Sequence, residues 1–181
     1  MRLDAGPWRA AWQALGVHGG DALHAVLLSS YAEPHRAYHT QQHLAECLAL
    51  FDEVRGLAER PAEVEIALWF HDAIYDVHRR DNEALSAEWA HAALLHAGAA
   101  ADAAERVAAL VLVTRHSVAP QTPDEQLLVD IDLAILGAAP SWPVFWRGRC
   151  FTASRPCASA SRRPRGPIFK QLSTHCRGPR A

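Results

Sequence analysis

Lysine is almost missing from this 181-residue chain: Lys170 is the only one, against 17 arginines. Also missing is any apolar run near the roughly 20 residues that a membrane-spanning helix needs, so no membrane partner is expected. Met1 to Trp12 has neither the basic region nor the apolar core of a signal peptide, which makes the cytoplasm the expected compartment. Neither a P-loop nor a Rossmann glycine pattern occurs. The four cysteines, Cys47, Cys150, Cys157 and Cys176, form no CxxC pair, which argues against a zinc ribbon. Without an export signal a disulfide framework has no support either. No strand-like alternation and no internal repeat can be found.

What is present favours helices. Half of the residues are hydrophobic, with Ala and Leu foremost. The length suits one domain with a real core. Charge divides the chain sharply: residues 1–139 hold 9 Arg and all 20 acidic residues, a net of −11. Residues 140–181 hold 8 Arg, Lys170 and no acid, a net of +9. We therefore read residues 1–138 as one helical domain and 139–181 as an atypical basic Pro/Arg/Ser-rich tail. The tail reads either as a disordered basic arm or as the product of a reading-frame shift in GC-rich coding DNA, and the second is preferred. It lacks evenly interleaved aromatics, so nucleic acid is not an expected partner.

Periodicity and caps place the helices. Pro7–Leu15 and Asp21–Ala32 open the domain, with Asp21 as the expected N-cap after Gly19-Gly20. Thr40 caps a long helix reaching about Ala58, whose buried stripe is Leu44, Cys47, Leu48 and Phe51; Cys47 is thus core packing. Pro61 is a first-turn proline, with Glu63 and Glu65 suited to the helix dipole, and this helix is expected to reach about Tyr75. Asn82–Ala97 and Asp102–His116 follow. Thr122-Pro123-Asp124-Glu125 then reads as N-cap, N1 proline and acidic first turn of a helix ending at Gly137.

Chemistry concentrates in His39-x-x-x-His43, the pair His71-Asp72, Asp76, and Asp130-Ile-Asp132. His43 lies on the side of its helix that carries Cys47 and Leu50. His71-Asp72 interrupts the apolar run Ile66–Phe70, where a buried carboxylate is costly without a partner or a metal. Asp132 lies in an equally apolar helix, Leu127–Leu136. Two residues apart on a helix, Asp130 and Asp132 cannot both face one way. His and Asp brought inward by separate helices is how bundles build metal sites. Two imidazoles and two carboxylates suit a divalent transition metal (Mn, Fe, Co, Ni or Zn) better than Mg or Ca. With 11 His in the chain, His24, His91 and His96 are read as ordinary structural residues.

Tyr38-His39-Thr-Gln-Gln-His43-Leu, Trp69-Phe-His71-Asp72-Ala-Ile-Tyr75-Asp76, Asp81-Asn82-Glu83 and Asp130-Ile-Asp132-Leu-Ala-Ile-Leu-Gly137 together resemble the bacterial predicted metal-dependent HD-superfamily phosphohydrolases. The resemblance covers about residues 5–138 and implies an all-α, HD-domain-like helical bundle. It implies His43, His71, Asp72 and Asp132 as metal ligands, with Asp130 the competing choice for the last. Tyr38-His39-x-x-x-His43 is similar to the YHNxxH signature of cyclic-nucleotide phosphodiesterases, which implies His39 as general acid. His71-Asp72-x-x-Tyr75-Asp76 resembles the HDxxED segment of ppGpp hydrolases, which implies Asp76 as the acid that orients the attacking water. Glu83 and His116 are candidates for groups behind the ligands or for a second ion. The expected activity is phosphoester hydrolysis on a small phosphorylated substrate, a nucleotide among the choices. The alternatives are a non-catalytic nucleotide-binding regulatory module and a diiron oxygenase. After Gly137 the chain departs from the family pattern.

Overall fold

The computed structural model describes residues 3–18 and 20–136. The expected end of the last helix at Gly137, and the tail readings, lie outside the described residues. Among those described there are seven α-helices, one 3-10 turn and no strand, an all-α bundle. The helices are α1 (Ala5–Ala14), α2 (Asp21–Ser30), α3 (Gln41–Val54), α4 (Pro61–Phe70), α5 (Asn82–His96), α6 (Ala101–Val113) and α7 (Pro123–Leu136), with the 3-10 turn at Arg55–Leu57.

Helix α4 is the hub. It is buried on every side from Glu63 to Phe70, the pattern of a central helix rather than an amphipathic surface one. It packs against α1, α3, α5, α6 and α7. Its two buried acids are each matched by an arginine. Glu63 accepts from Arg106 Nη2 at 2.7 Å and Nε at 2.8 Å, and Glu65 pairs with Arg55. Trp8 and Trp12 of α1 face α4, with the Trp8 ring centroid 5.3 Å from Trp69 and 5.1 Å from Trp12. A single core runs from these rings through Leu44, Leu48 and Phe51 of α3 to Leu127, Leu128 and Ile131 of α7.

Several helix ends differ from the periodicity. Gly20 is the N-cap of α2 and Asp21 its first residue, bound instead to Arg9. Helix α3 stops at Val54, and the 3-10 turn takes up the rest of the expected segment. The larger differences are at α4 and α6. Helix α4 ends at Phe70, five residues before Tyr75, and α6 ends at Val113 rather than His116. After Phe70, alternate backbone N–H groups find side-chain acceptors: Asp72 N donates to Tyr31 Oη at 3.2 Å, Ile74 N to Ser86 Oγ at 3.0 Å, and Asp76 N to Asn82 Oδ1 at 3.1 Å. Tertiary acceptors thus replace helical ones, and the chain leaves the helix at the His-Asp pair.

Candidate metal centre

The end of α4, the first turns of α3 and the later part of α7 meet at one point. Helix α3 packs on α4 and on α7, and α4 packs on α7. His43 points inward from α3, one turn before Cys47, and is buried. His71 is the residue at which α4 ends, and Asp72 follows it. Asp132 comes from α7 and is buried.

His43 Nε2 lies 3.1 Å from His71 Nε2, 3.4 Å from Asp72 Oδ2 and 3.5 Å from Asp132 Oδ1. His71 Nε2 is 3.1 Å from Asp72 Oδ2 and 3.8 Å from Asp132 Oδ1. Donors bound about 2.1 Å from one ion stand about 3.0 Å apart at a right angle and about 3.4 Å at the tetrahedral angle. These five separations are compatible with donors around a single ion. His71 is oriented for this: its Nδ1–H donates to Leu68 O at 2.7 Å, which leaves Nε2 as the free nitrogen facing the cluster. Of the two late aspartates, Asp132 contacts His43, His71 and His116.

Two groupings are tight enough to hold a metal ion: His43 with Cys47 and His71, and His39 with His43 and Asp72. The Cys47 sulfur lies 3.7 Å from His43 Nε2 and 3.9 Å from Nδ1. It is nearly equidistant from both ring nitrogens, so it sits against the ring rather than on the Nε2 lone-pair axis. Burial, moreover, pushes its thiol pKa up. We therefore favour the carboxylates over the sulfur as partners of the two imidazoles.

Electrostatics match the geometry. Burial acts to lower the pKa of His43, but hydrogen bonds to Asp132 and Asp72 outweigh it and hold the imidazole well above its ordinary value. Burial also acts on His71, and Asp72 overcomes it in the same direction. For Asp72, burial alone would raise the pKa; the charge of His71 and hydrogen bonds from His39 and His43 hold it well below the carboxylate range. Burial opposes a similar depression at Asp132, which hydrogen bonds to His116 and His43 produce. The ionised carboxylates thus favour the protonated form of the imidazoles beside them, and a metal binding here would displace protons from the rings.

Of the remaining sequence candidates, His39 and His116 contact the carboxylates of this cluster. His39 is in the loop before α3, and its Nδ1 contacts Asp72 Oδ2 at 2.8 Å, leaving Nε2 outside that bond. His116 follows α6 with φ of 54°, the left-handed conformation usually given to glycine at a helix end. Its ring reaches Asp132 Oδ2 at 3.3 Å, and the charge of Glu83 acts on it. Asp76 is held differently: it sits in the loop after α4, where Oδ1 accepts the His78 N–H at 2.8 Å. His24 is a core histidine, as expected, with Nε2 3.0 Å from Leu3 O.

Sequence reasoning missed Tyr31 and Arg36. Tyr31 is buried; its hydroxyl donates to Trp69 O at 3.3 Å and accepts from Asp72 N, which holds the turn that bears Asp72 in place. Both act through main-chain atoms, and no motif or periodicity marks such a role. The chain matches no family model, no curated protein and no solved structure, so the functional reading rests on this geometry and on the residues that form it.

Proposed function

We propose that this chain is a metal-dependent phosphohydrolase of the HD type, acting on a small phosphorylated substrate: a phosphomonoester or a phosphodiester, with nucleotides included. The observation that carries the reading is the mutual spacing of His43, His71, Asp72 and Asp132, 3.1–3.8 Å for the five measured pairs. These residues would hold a divalent transition metal (Mn, Fe, Co, Ni or Zn), favoured by the mixed imidazole and carboxylate set. Such an ion supplies acidified water at neutral pH and polarises a phosphoryl oxygen.

The other residues divide the remaining work. Asp72 Oδ2 fixes the His39 ring through Nδ1–H, so that in the imidazolium form the Nε2–H can give its proton to the departing oxygen. Asp76 is assigned to orienting the attacking water through Oδ2, since Oδ1 is taken by its own loop. His116 steadies the Asp132 carboxylate from the outer side.

Metal analysis and a phosphoester screen on the purified chain test this reading. His71→Ala and Asp72→Ala should each lose bound metal and at least about 10³-fold of activity, while Asp130→Ala should keep the metal that Asp132→Ala loses. Unchanged metal content in His71→Ala and Asp72→Ala would refute the centre. Nucleotide bound tightly but never turned over in the presence of Mn or Co would refute the hydrolase and leave a regulatory module.

A further inference from the structure

A second charged group is buried beside this centre and reaches one of the proposed ligands, Asp72, only at its main-chain oxygen. Arg36 lies in the loop between α2 and α3, and its side chain has no exposed surface. Its guanidinium is spent on main-chain oxygens. Nη1 donates to Asp72 O at 2.7 Å and to His39 O at 3.1 Å, and Nη2 donates to Ala73 O at 3.0 Å. Nε donates to Glu33 Oε2 at 3.1 Å. The guanidinium carbon lies 5.1 Å from the Tyr31 ring centroid and 5.5 Å from that of Tyr75, which offsets part of its desolvation.

Burying an arginine so fully is expensive unless its donors are satisfied. Here they join two segments far apart in sequence: the loop that carries His39, and the turn after α4 that carries Asp72. Two of the three carbonyls it grips belong to the residues whose side chains make the 2.8 Å contact between His39 Nδ1 and Asp72 Oδ2. Lysine could not reproduce this. A single ammonium is a point donor, whereas the planar fork reaches three carbonyls at fixed angles.

We propose that Arg36 is a positioning residue that acts through His39: by locking the His39 and Asp72 main chains together it holds the His39 ring in one orientation, with Nδ1–H on Asp72 and the Nε2–H of the imidazolium directed to the leaving group. This rests on the hydrolase reading for its kinetic consequence, but its structural core does not.

Two measurements test it. The first is the loss of rate in Arg36→Lys and Arg36→Ala as a function of the leaving group. Phenyl phosphate needs a proton delivered to its departing oxygen far more than 4-nitrophenyl phosphate does. The expected result is a fall in kcat of about 10²-fold on phenyl phosphate and less than about threefold on 4-nitrophenyl phosphate, with little change in KM or metal content. Millimolar guanidinium ion should restore part of the rate to Arg36→Ala. Equal losses on both substrates, or none, would overturn the proposal.

The second measurement needs no turnover. At a pH where the ring is neutral, nitrogen-15 imidazole spectra of the zinc-loaded wild type should show His39 as one fixed tautomer that keeps its proton on Nδ1, and those of folded Arg36→Ala a tautomeric average. An unchanged His39 pattern in the variant would overturn the positioning role. If the wild type turned over no phosphoester, the hydrolase reading would fail while this second measurement still decided the role of Arg36.

Discussion

His43 and His71 are each pressed between carboxylates in a pocket nearly closed to water, and their protonation governs the centre when no ion is bound. The groups facing His43 are Asp72 and Asp132, with His71, Cys47 and Tyr38 around them. Asp72 and Asp132 have depressed pKa values, so their contribution to stability is present above the unfolded carboxylate value of about 4 and is lost as pH falls. His43 and His71 have raised values, so theirs is fully present below the unfolded imidazole value of about 6.5 and fades as pH rises toward the folded values. The two signs overlap between about pH 4 and 6.5. With a chelator present, the stability difference between wild type and Asp132→Asn should be largest in that window and shrink on both sides, as read from urea unfolding. A difference still growing above pH 8 would contradict the arrangement. Much at this scale was legible beforehand. A carboxylate inside an apolar run advertises a partner, and the helical angle between Asp130 and Asp132 allows only one of them to face His43. Arg36 was not legible, because its partners are carbonyl oxygens that every residue carries.

Helix α7 places Asp132, and its start is tied down by the residues that mark it in the sequence. Glu125 N donates to Thr122 Oγ1 at 3.2 Å and Thr122 N donates to Glu125 Oε2 at 3.1 Å, a reciprocal capping box. Asp124 goes further: buried, it accepts Glu59 N at 2.8 Å and Arg60 N at 3.0 Å, just before the first turn of α4. One carboxylate thereby fixes the beginning of the helix that carries Asp132 to the beginning of the helix that ends in His71. Asp124→Ala leaves two backbone donors without their acceptor, and should cost about 1–3 kcal/mol with little change in the slope of urea unfolding. A loss below about 0.5 kcal/mol would mean that water replaces the carboxylate at no cost. The start of α7 could be read locally because caps and first-turn prolines are local chemistry. The ends of α4 and α6 could not. Tyr31, Ser86 and Asn82 stop the helical pattern at Phe70 from elsewhere in the fold, and His116 closes α6 in a left-handed conformation that sequence periodicity does not foresee.

The centre draws on the loop after α2, on α3, on the end of α4, on the residue beyond α6 and on α7, so elements spread from residue 36 to residue 132 converge there. An ion held at this point would tie those elements together only while the chain is folded, and it would add to stability by mass action. At one hundred times its Kd, a metal bound only by the folded state adds about 2.7 kcal/mol, on the order of 10 °C in Tm for a domain of this size. The wild type should therefore melt higher with Mn, Co, Ni or Zn than in a chelator, by an amount that grows with the logarithm of metal concentration. Mg should do less, because the imidazoles suit it poorly. His71→Ala should lose the metal-dependent increment whatever its own Tm in the chelator, since the Nε2 that faces His43 is gone. Removing the Cys47 sulfur should leave most of the increment, because the sulfur lies against the His43 ring. Scanning calorimetry of wild type, His71→Ala and Cys47→Ala across a metal series measures all of these at once. An increment that vanished in Cys47→Ala as fully as in His71→Ala would move the ion from the carboxylate side of His43 to the sulfur side, where Cys47 and both imidazoles would hold it, and with it any substrate.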